Sequence, residues 1–157
     1  MRRNIAVNGV SLKASMNKYI QAIMPLDEEK QSFNRKIVKY LSSLKKNKNE
    51  TEEFQKNLLK DFLVEVLPNN FMNTSKNIDL AIYNFKDSES TLGVIFECKS
   101  LNNKFEMMSK ENFNSKAFQE AVAYYLKERI VNKNIEIKKI SYITESEGNY
   151  EVFYYGR

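Results

Sequence analysis

Chemistry is concentrated at three residues. Asp79 lies in Asn77-Ile78-Asp79-Leu80-Ala81-Ile82-Tyr83, and Glu97 and Lys99 lie in Glu97-Cys98-Lys99, which follows Leu92-Gly93-Val94-Ile95-Phe96. Both apolar runs read as buried strands. An unpaired carboxylate is costly to bury, so charges at these places imply a task. Asp and Glu carboxylates, helped by a main-chain carbonyl such as that of Cys98, can hold one or two hard divalent cations. Such a cation binds a phosphate oxygen, stabilises the charge that develops there and lowers the pKa of bound water. A neighbouring lysine can orient or deprotonate that water and steady the transition state, because its pKa responds strongly to its surroundings. Seventeen residues separate Asp79 from the Glu-x-Lys run. A pattern that short gains its weight from the strands around it. The competing account is an ion pair at a sheet end facing solvent, worth little to stability.

Positioning falls to the two strands. Side chains alternate along a strand, so Glu97 and Lys99 share a face and Cys98 points to the other, into packing rather than nucleophilic work. The connector Lys86-Asp87-Ser88-Glu89-Ser90-Thr91 is short, which predicts an antiparallel hairpin over about 78–85 and 92–99. Asp79 then meets Glu97 and Lys99 at one end of the sheet.

Around the hairpin, a short helix is expected over about 12–24, ended by Pro25. A second is expected over 28–46, with Asp27 as N-cap and Phe33, Ile37, Tyr40, Leu41 and Leu44 on one face. A third is expected over 51–67, with the stripe Phe54, Leu58, Leu59, Phe62, Leu63 and Val66, and Pro68 ends it. A fourth spans about 115–131, with Phe118, Ala121, Val122, Tyr125 and Leu126 inward, and further strands are expected over 137–144 and 150–155. Met107 and Met108 read as packing residues. Tyr124, Tyr125, Tyr142, Tyr150, Tyr154 and Tyr155 could stack on bases, but mixed core and edge packing is the simpler account. The fold class is α/β or α+β, with helices on a central mixed sheet.

Composition narrows the chemistry. The chain has 157 residues, no histidine, one cysteine and two prolines. That length suits one domain. Without histidine there is no Ser-His-Asp or Cys-His catalysis and no imidazole ligand, and one cysteine forms neither an internal disulfide nor a Cys₄ zinc site. Any metal would take oxygen ligands, which favours Mg²⁺, Mn²⁺ or Ca²⁺. A single free thiol and the lack of a long apolar stretch point to a reducing, cytoplasmic setting and no membrane partner. The net charge of +5 suits a polyanion. Lys104, Lys110 and Lys116 follow the Glu-x-Lys strand and are candidate phosphate contacts; solvated loops explain the first two equally well, and Lys116 stands at the start of the fourth helix.

The run Ile78-Asp79-Leu80-Ala81-Ile82, with Gly93-Val94-Ile95-Phe96-Glu97-Cys98-Lys99, resembles the core of the PD-(D/E)xK nuclease superfamily. From about Pro25 to Phe153 the chain is similar to the N-terminal nuclease domain of type IIG restriction–modification enzymes, in which endonuclease and DNA adenine methyltransferase are fused. The further segments are Glu52-Glu53-Phe54-Gln55-Lys56-Asn57-Leu58-Leu59-Lys60-Asp61-Phe62-Leu63, Glu106-Met107-Met108, Asn114-Ser115-Lys116-Ala117-Phe118-Gln119-Glu120 and Tyr124-Tyr125-Leu126-Lys127-Glu128-Arg129. Ile78 stands where the motif's name has proline. The resemblance implies a restriction-endonuclease-like core with a four-stranded mixed sheet in one domain, 1–157, whose residues 1–24 form an N-terminal arm. It implies Asp79 and Glu97 as Mg²⁺ ligands, with the Cys98 carbonyl, and Lys99 as the catalytic lysine; Mn²⁺ would substitute. It often adds a glutamate from the preceding helix. Glu52 is favoured there, about 60° from the centre of the apolar stripe, with Glu53 as the alternative and an ordinary first-turn acid as the competing account. Double-stranded DNA would be the partner, with a dimer on DNA as one arrangement open to it. Methyltransferase and target-recognition parts are not visible in these residues, so the chain is expected to be an excised domain or truncated product, weak or inactive alone. The rival reading is a catalytically decayed nuclease fold that acts only in DNA binding or assembly.

Overall fold

The computed structural model describes residues 23–75, 78–103, 105–109, 112 and 114–137, and the backbone of 139–146 and 149–155. The helix expected over 12–24 lies almost wholly outside the described residues, as do Lys104, Lys110 and the side chains of Tyr142, Tyr150, Tyr154 and Tyr155. The chain divides into two compact units between Asn34 and Arg35.

Helix α1 spans Asp27–Lys46, with three acids in its first turn and two lysines in its last, which suits the helix dipole. The expected Asp27 cap is corrected: Asp27 is itself helical, and the Leu26 N–H donates to Glu29 at 2.8 Å. Leu44 is its buried residue. Phe33, expected inward, is 43% exposed.

Helix α2 spans Glu52–Val66. Thr51 caps it by accepting the Phe54 N–H. Its buried residues are Gln55 and Leu59, while Phe54 is 40% exposed. The inward face is therefore turned from the expected stripe toward Gln55, Leu59 and Phe62. Lys36 and Lys39 tie α1 to α2, donating to the Glu65 carbonyl and carboxylate at 2.7 and 2.8 Å.

The sheet has strands β1 (Met72–Ser75), β2 (Ile78–Tyr83), β3 (Leu92–Phe96), β4 (Lys139–Ser146) and β5 (Asn149–Tyr155), in that spatial order. Among the described strands only the β3–β4 pair is parallel. The sheet is thus mixed, as expected, but among the described residues it has five strands rather than four. Met72-Asn73-Thr74-Ser75 holds a single large apolar residue, so its pattern alone marks no strand; pairing with β2 makes it one. Helix α3 (Lys116–Leu126) connects β3 to β4 and runs into a π-helical turn at Lys127–Val131. Ser115 caps it by accepting the Phe118 N–H. Leu126, expected inward, is 46% exposed.

Strand alternation separates two cores. Leu80, Ile82 and Phe96 pack with Leu59, Phe62 and Leu63 of α2. Ala81 and Ile95 pack with Ile78, Leu92 and Ile137, and with Tyr124 and Tyr125 of α3. The sheet therefore carries α2 on one face and α3 on the other. Met107 and Met108 are buried against Ala117 and Ala121, the packing role expected of them. The fold is α+β. No helix among the described residues is long and apolar enough to cross a membrane.

Candidate functional site

The site forms where β2 begins and β3 ends. Their ladder runs antiparallel as far as Leu80 opposite Phe96. Just beyond that pair, the Cys98 N–H donates to Asp79 Oδ2 at 2.9 Å, so Asp79 pins the exit of β3. Glu97, Cys98 and Lys99 were expected inside the strand; they lie just past its last residue, Phe96. The expected division of faces still holds. Lys99 Nζ lies 2.5 Å from Glu97 Oε1, while Cys98 packs with the Leu59 and Phe96 cluster. Burial, reinforced by Asp79 and Glu97, pushes the Cys98 thiol up to about 12. It is held as a neutral packing group.

A second carboxylate reaches the lysine from α3. Glu120 Oε2 is 3.1 Å from Lys99 Nζ, yet this buried oxygen has no aligned hydrogen-bond partner. Burial drives Glu97 up to about 8; the Lys99 bond opposes this and the Asp79 charge reinforces it. Glu120 goes the other way, because its contacts with Lys99 and Glu97 outweigh its burial. Burial thus favours the neutral form of Glu97, the more buried of the two, while the lysine favours the ionised form of Glu120. Lys99 is held above the ordinary lysine range: burial works against its charge, but Glu97 and Glu120 overcome it. In this state Lys99 is a cationic clamp and not a base.

Helix α2 supplies the other wall. Glu52 Oε2 accepts the Ser100 N–H at 3.1 Å. Glu53 turns outward and pairs with Lys56. The Lys56 side chain is only 12% exposed and lies 3.9 Å from Asp79 Oδ1. Its charge is favoured by Glu53 and Asp79 against the opposing effect of burial. Glu52, Gln55, Lys56, Glu97, Cys98 and Lys99 line a pocket of about 50 Å³, closed by Tyr40, Leu44 and Leu59. That volume admits a water molecule or a bare cation.

The donor chemistry fits a hard divalent ion in kind, since Asp79, Glu97 and the Cys98 carbonyl offer oxygen. Burial, reinforced by the Asp79 charge, disfavours the Glu97 carboxylate, and a cation beside it and the unaligned Glu120 oxygen would favour the ionised form. The charges are already countered in part by Lys56 and Lys99. Among the described residues, no three His, Cys, Asp or Glu side chains stand together as a ready-made metal group.

Lys116 is on the surface and pairs with Glu106 at 3.2 Å. Lys56, Glu120 and Gln55 were not singled out from the sequence. Lys56 is one turn beyond Glu52, a spacing that places both on one helix side. Glu120 carries no signal of its own, because only the crossover through α3 brings it to Lys99.

A family model described as "Domain of unknown function (DUF7149)" matches residues 10–152. The chain belongs to the DUF7149 family. The matched region contains every residue of the site, from Glu52 to Glu120. No curated protein and no solved structure matches this DUF7149 chain.

Proposed function

We propose that this DUF7149 chain is a Mg²⁺-dependent DNA endonuclease domain of a type IIG-like restriction–modification system, hydrolysing phosphodiester bonds of foreign DNA. The observation that carries this is the meeting of Asp79, Glu97 and Lys99 at one sheet end, joined by the Cys98–Asp79 and Lys99–Glu97 bonds. The mixed sheet with a helix on each face also supports this reading, since the resemblance implies a mixed sheet flanked by helices. Asp79, Glu97 and the Cys98 carbonyl would hold the ion, which would supply charge stabilisation at a phosphate oxygen and an activated water. Lys99 would place an ammonium group beside that phosphate, and Asp79 keeps the Lys99 segment against β2. Target recognition and methylation belong, on this reading, to parts outside these residues.

Nicking of supercoiled plasmid with Mg²⁺ or Mn²⁺ tests this. Asp79→Ala and Lys99→Ala are expected to lower nicking about 100-fold or more, the scale of one lost charge-stabilising group. Nicking that persists in both variants sinks the proposal. The decayed-fold reading has one observation in its favour: Lys99 already lies between Glu97 and Glu120, at 2.5 and 3.1 Å. Calorimetry with Mn²⁺ separates the two readings, since a decayed site shows no binding that depends on Asp79.

A further inference from the structure

The segment that follows Lys99 is tied down by two residues of α2. Glu52 and Gln55 are three apart on one helix face. Glu52 Oε2 accepts the Ser100 N–H at 3.1 Å, and Gln55 Oε1 accepts the Leu101 N–H at 3.0 Å. The Gln55 amide also donates to the carbonyls of Lys48 and Glu50 at 3.0 and 3.2 Å. Gln55 is only 6% exposed, so its amide joins three segments out of water. Asn102 adds a bond from its own amide to the Lys48 carbonyl at 3.2 Å. A buried glutamine with both ends engaged replaces an apolar residue on the inward face of α2. A leucine there would take from the Leu101 N–H and the Glu50 carbonyl the bonds that Gln55 makes to them, and would leave the Lys48 carbonyl to Asn102.

We infer that Glu52 and Gln55 are positioning residues that clamp the Ser100 and Leu101 amides and so fix where Lys99 presents its ammonium group. This rests on the nuclease reading for its purpose. It gives Glu52 a backbone partner in place of the metal that the family resemblance implied for it. The clamp holds Lys99 from one side of the sheet while Glu97 and Glu120 hold its nitrogen from the other. Lys99 has a side chain only 8% exposed, and the main chain directly after it cannot drift without breaking bonds to α2.

Hydrogen exchange, Mn²⁺ titration and plasmid nicking on the full chain test the clamp. Gln55→Ala is expected to speed exchange of the Leu101 amide about tenfold or more, because a local opening no longer breaks that bond. The same variant should lower the nicking rate at saturating DNA about tenfold while Mn²⁺ affinity stays within about twofold. Glu52→Gln still offers a carbonyl oxygen to the Ser100 N–H, so it should keep slow exchange and Mn²⁺ affinity, whereas Glu52→Ala loses the protection. If Gln55→Ala does not fold, Gln55→Glu keeps the acceptor for Leu101 and loses both donors, and the same readouts apply. If the unaltered chain does not nick, acylation of the Lys99 amine replaces the rate: clamp variants should label about tenfold faster, as local opening exposes it. Mn²⁺ affinity lost equally in Glu52→Gln and Glu52→Ala would make Glu52 a ligand and overturn the inference. Unchanged exchange in Gln55→Ala, or faster exchange with neither rate nor labelling altered, overturns it too. Nicking that survives Asp79→Ala and Lys99→Ala is a different failure: it removes the nuclease reading, whatever the exchange shows.

Discussion

Glu97 concentrates the electrostatics of this protein. Its folded value of about 8 stands above the ordinary 4.5 because burial disfavours its charge and Asp79 repels it. A raised value means that the metal-free fold holds an extra proton between these limits, so stability falls as pH rises through that window. Glu97→Gln should flatten this slope and make the apo protein more stable near pH 9, by about 1–2 kcal/mol after allowance for screening and coupling. Thermal unfolding across pH 5 to 9 checks it, and an unchanged slope would show that Glu97 titrates normally. On the proposed reading Glu97 is a ligand and must be deprotonated to bind, so Mn²⁺ affinity should climb from pH 6 to 8 and level off above, with release of about one proton. Calorimetry in buffers of different ionisation enthalpy reads that proton directly.

The elements act by carrying residues from distant sequence to one place. In α2, Leu59 is 6% exposed and sits in the core cluster under β2 and β3. Leu59→Ala is expected to lose about 2–4 kcal/mol, the range for a buried leucine that leaves a cavity. In the hairpin, Gly93 matters through close approach: a Cβ there would lie 2.4 Å from Asn84 Oδ1. The Asn84 amide donates to Thr91 at 2.9 Å across the turn, so the side chain is not free to move aside without loss. Gly93→Ala should therefore destabilise by about 1–3 kcal/mol through overpacking. Urea denaturation with an unchanged m-value would assign both effects to the native state. A Gly93→Ala protein as stable as the parent would mean that Asn84 swings away at no cost.

For the whole chain, the charge balance is 25 Lys and Arg against 20 Asp and Glu. Part of the positive charge is spent internally: Lys39, Lys56, Lys99 and Lys116 all pair with carboxylates. Binding to duplex DNA should accordingly be weak and indifferent to sequence, and should fall about tenfold or more between 50 and 200 mM salt as counterions are released. Fluorescence anisotropy with two unrelated duplexes checks this. A clear preference for one of them would place target recognition inside these residues.

Local pattern made much of this protein legible before any coordinates. The helices α1, α2 and α3, the β2–β3 hairpin and the shared face of Glu97 and Lys99 follow from apolar periodicity, strand alternation and a short polar connector. These depend on neighbours in the chain, which a sequence displays. Strand β1 was invisible because its four residues become a strand only by bonding to β2. The outward turn of Phe54 and inward turn of Gln55 were hidden for a related reason: a buried glutamine looks polar until the Leu101 N–H and the Lys48 and Glu50 carbonyls are brought to it. Glu120 could not be found at all, since its meeting with Lys99 depends on α3 crossing back over the sheet. The sequence by itself brought out Asp79, Glu97 and Lys99 as residue types suited to chemistry. Tertiary structure decided the electrostatic setting of Glu97 and Lys99, because burial and the approach of Asp79 and Glu120 act on them only in the fold.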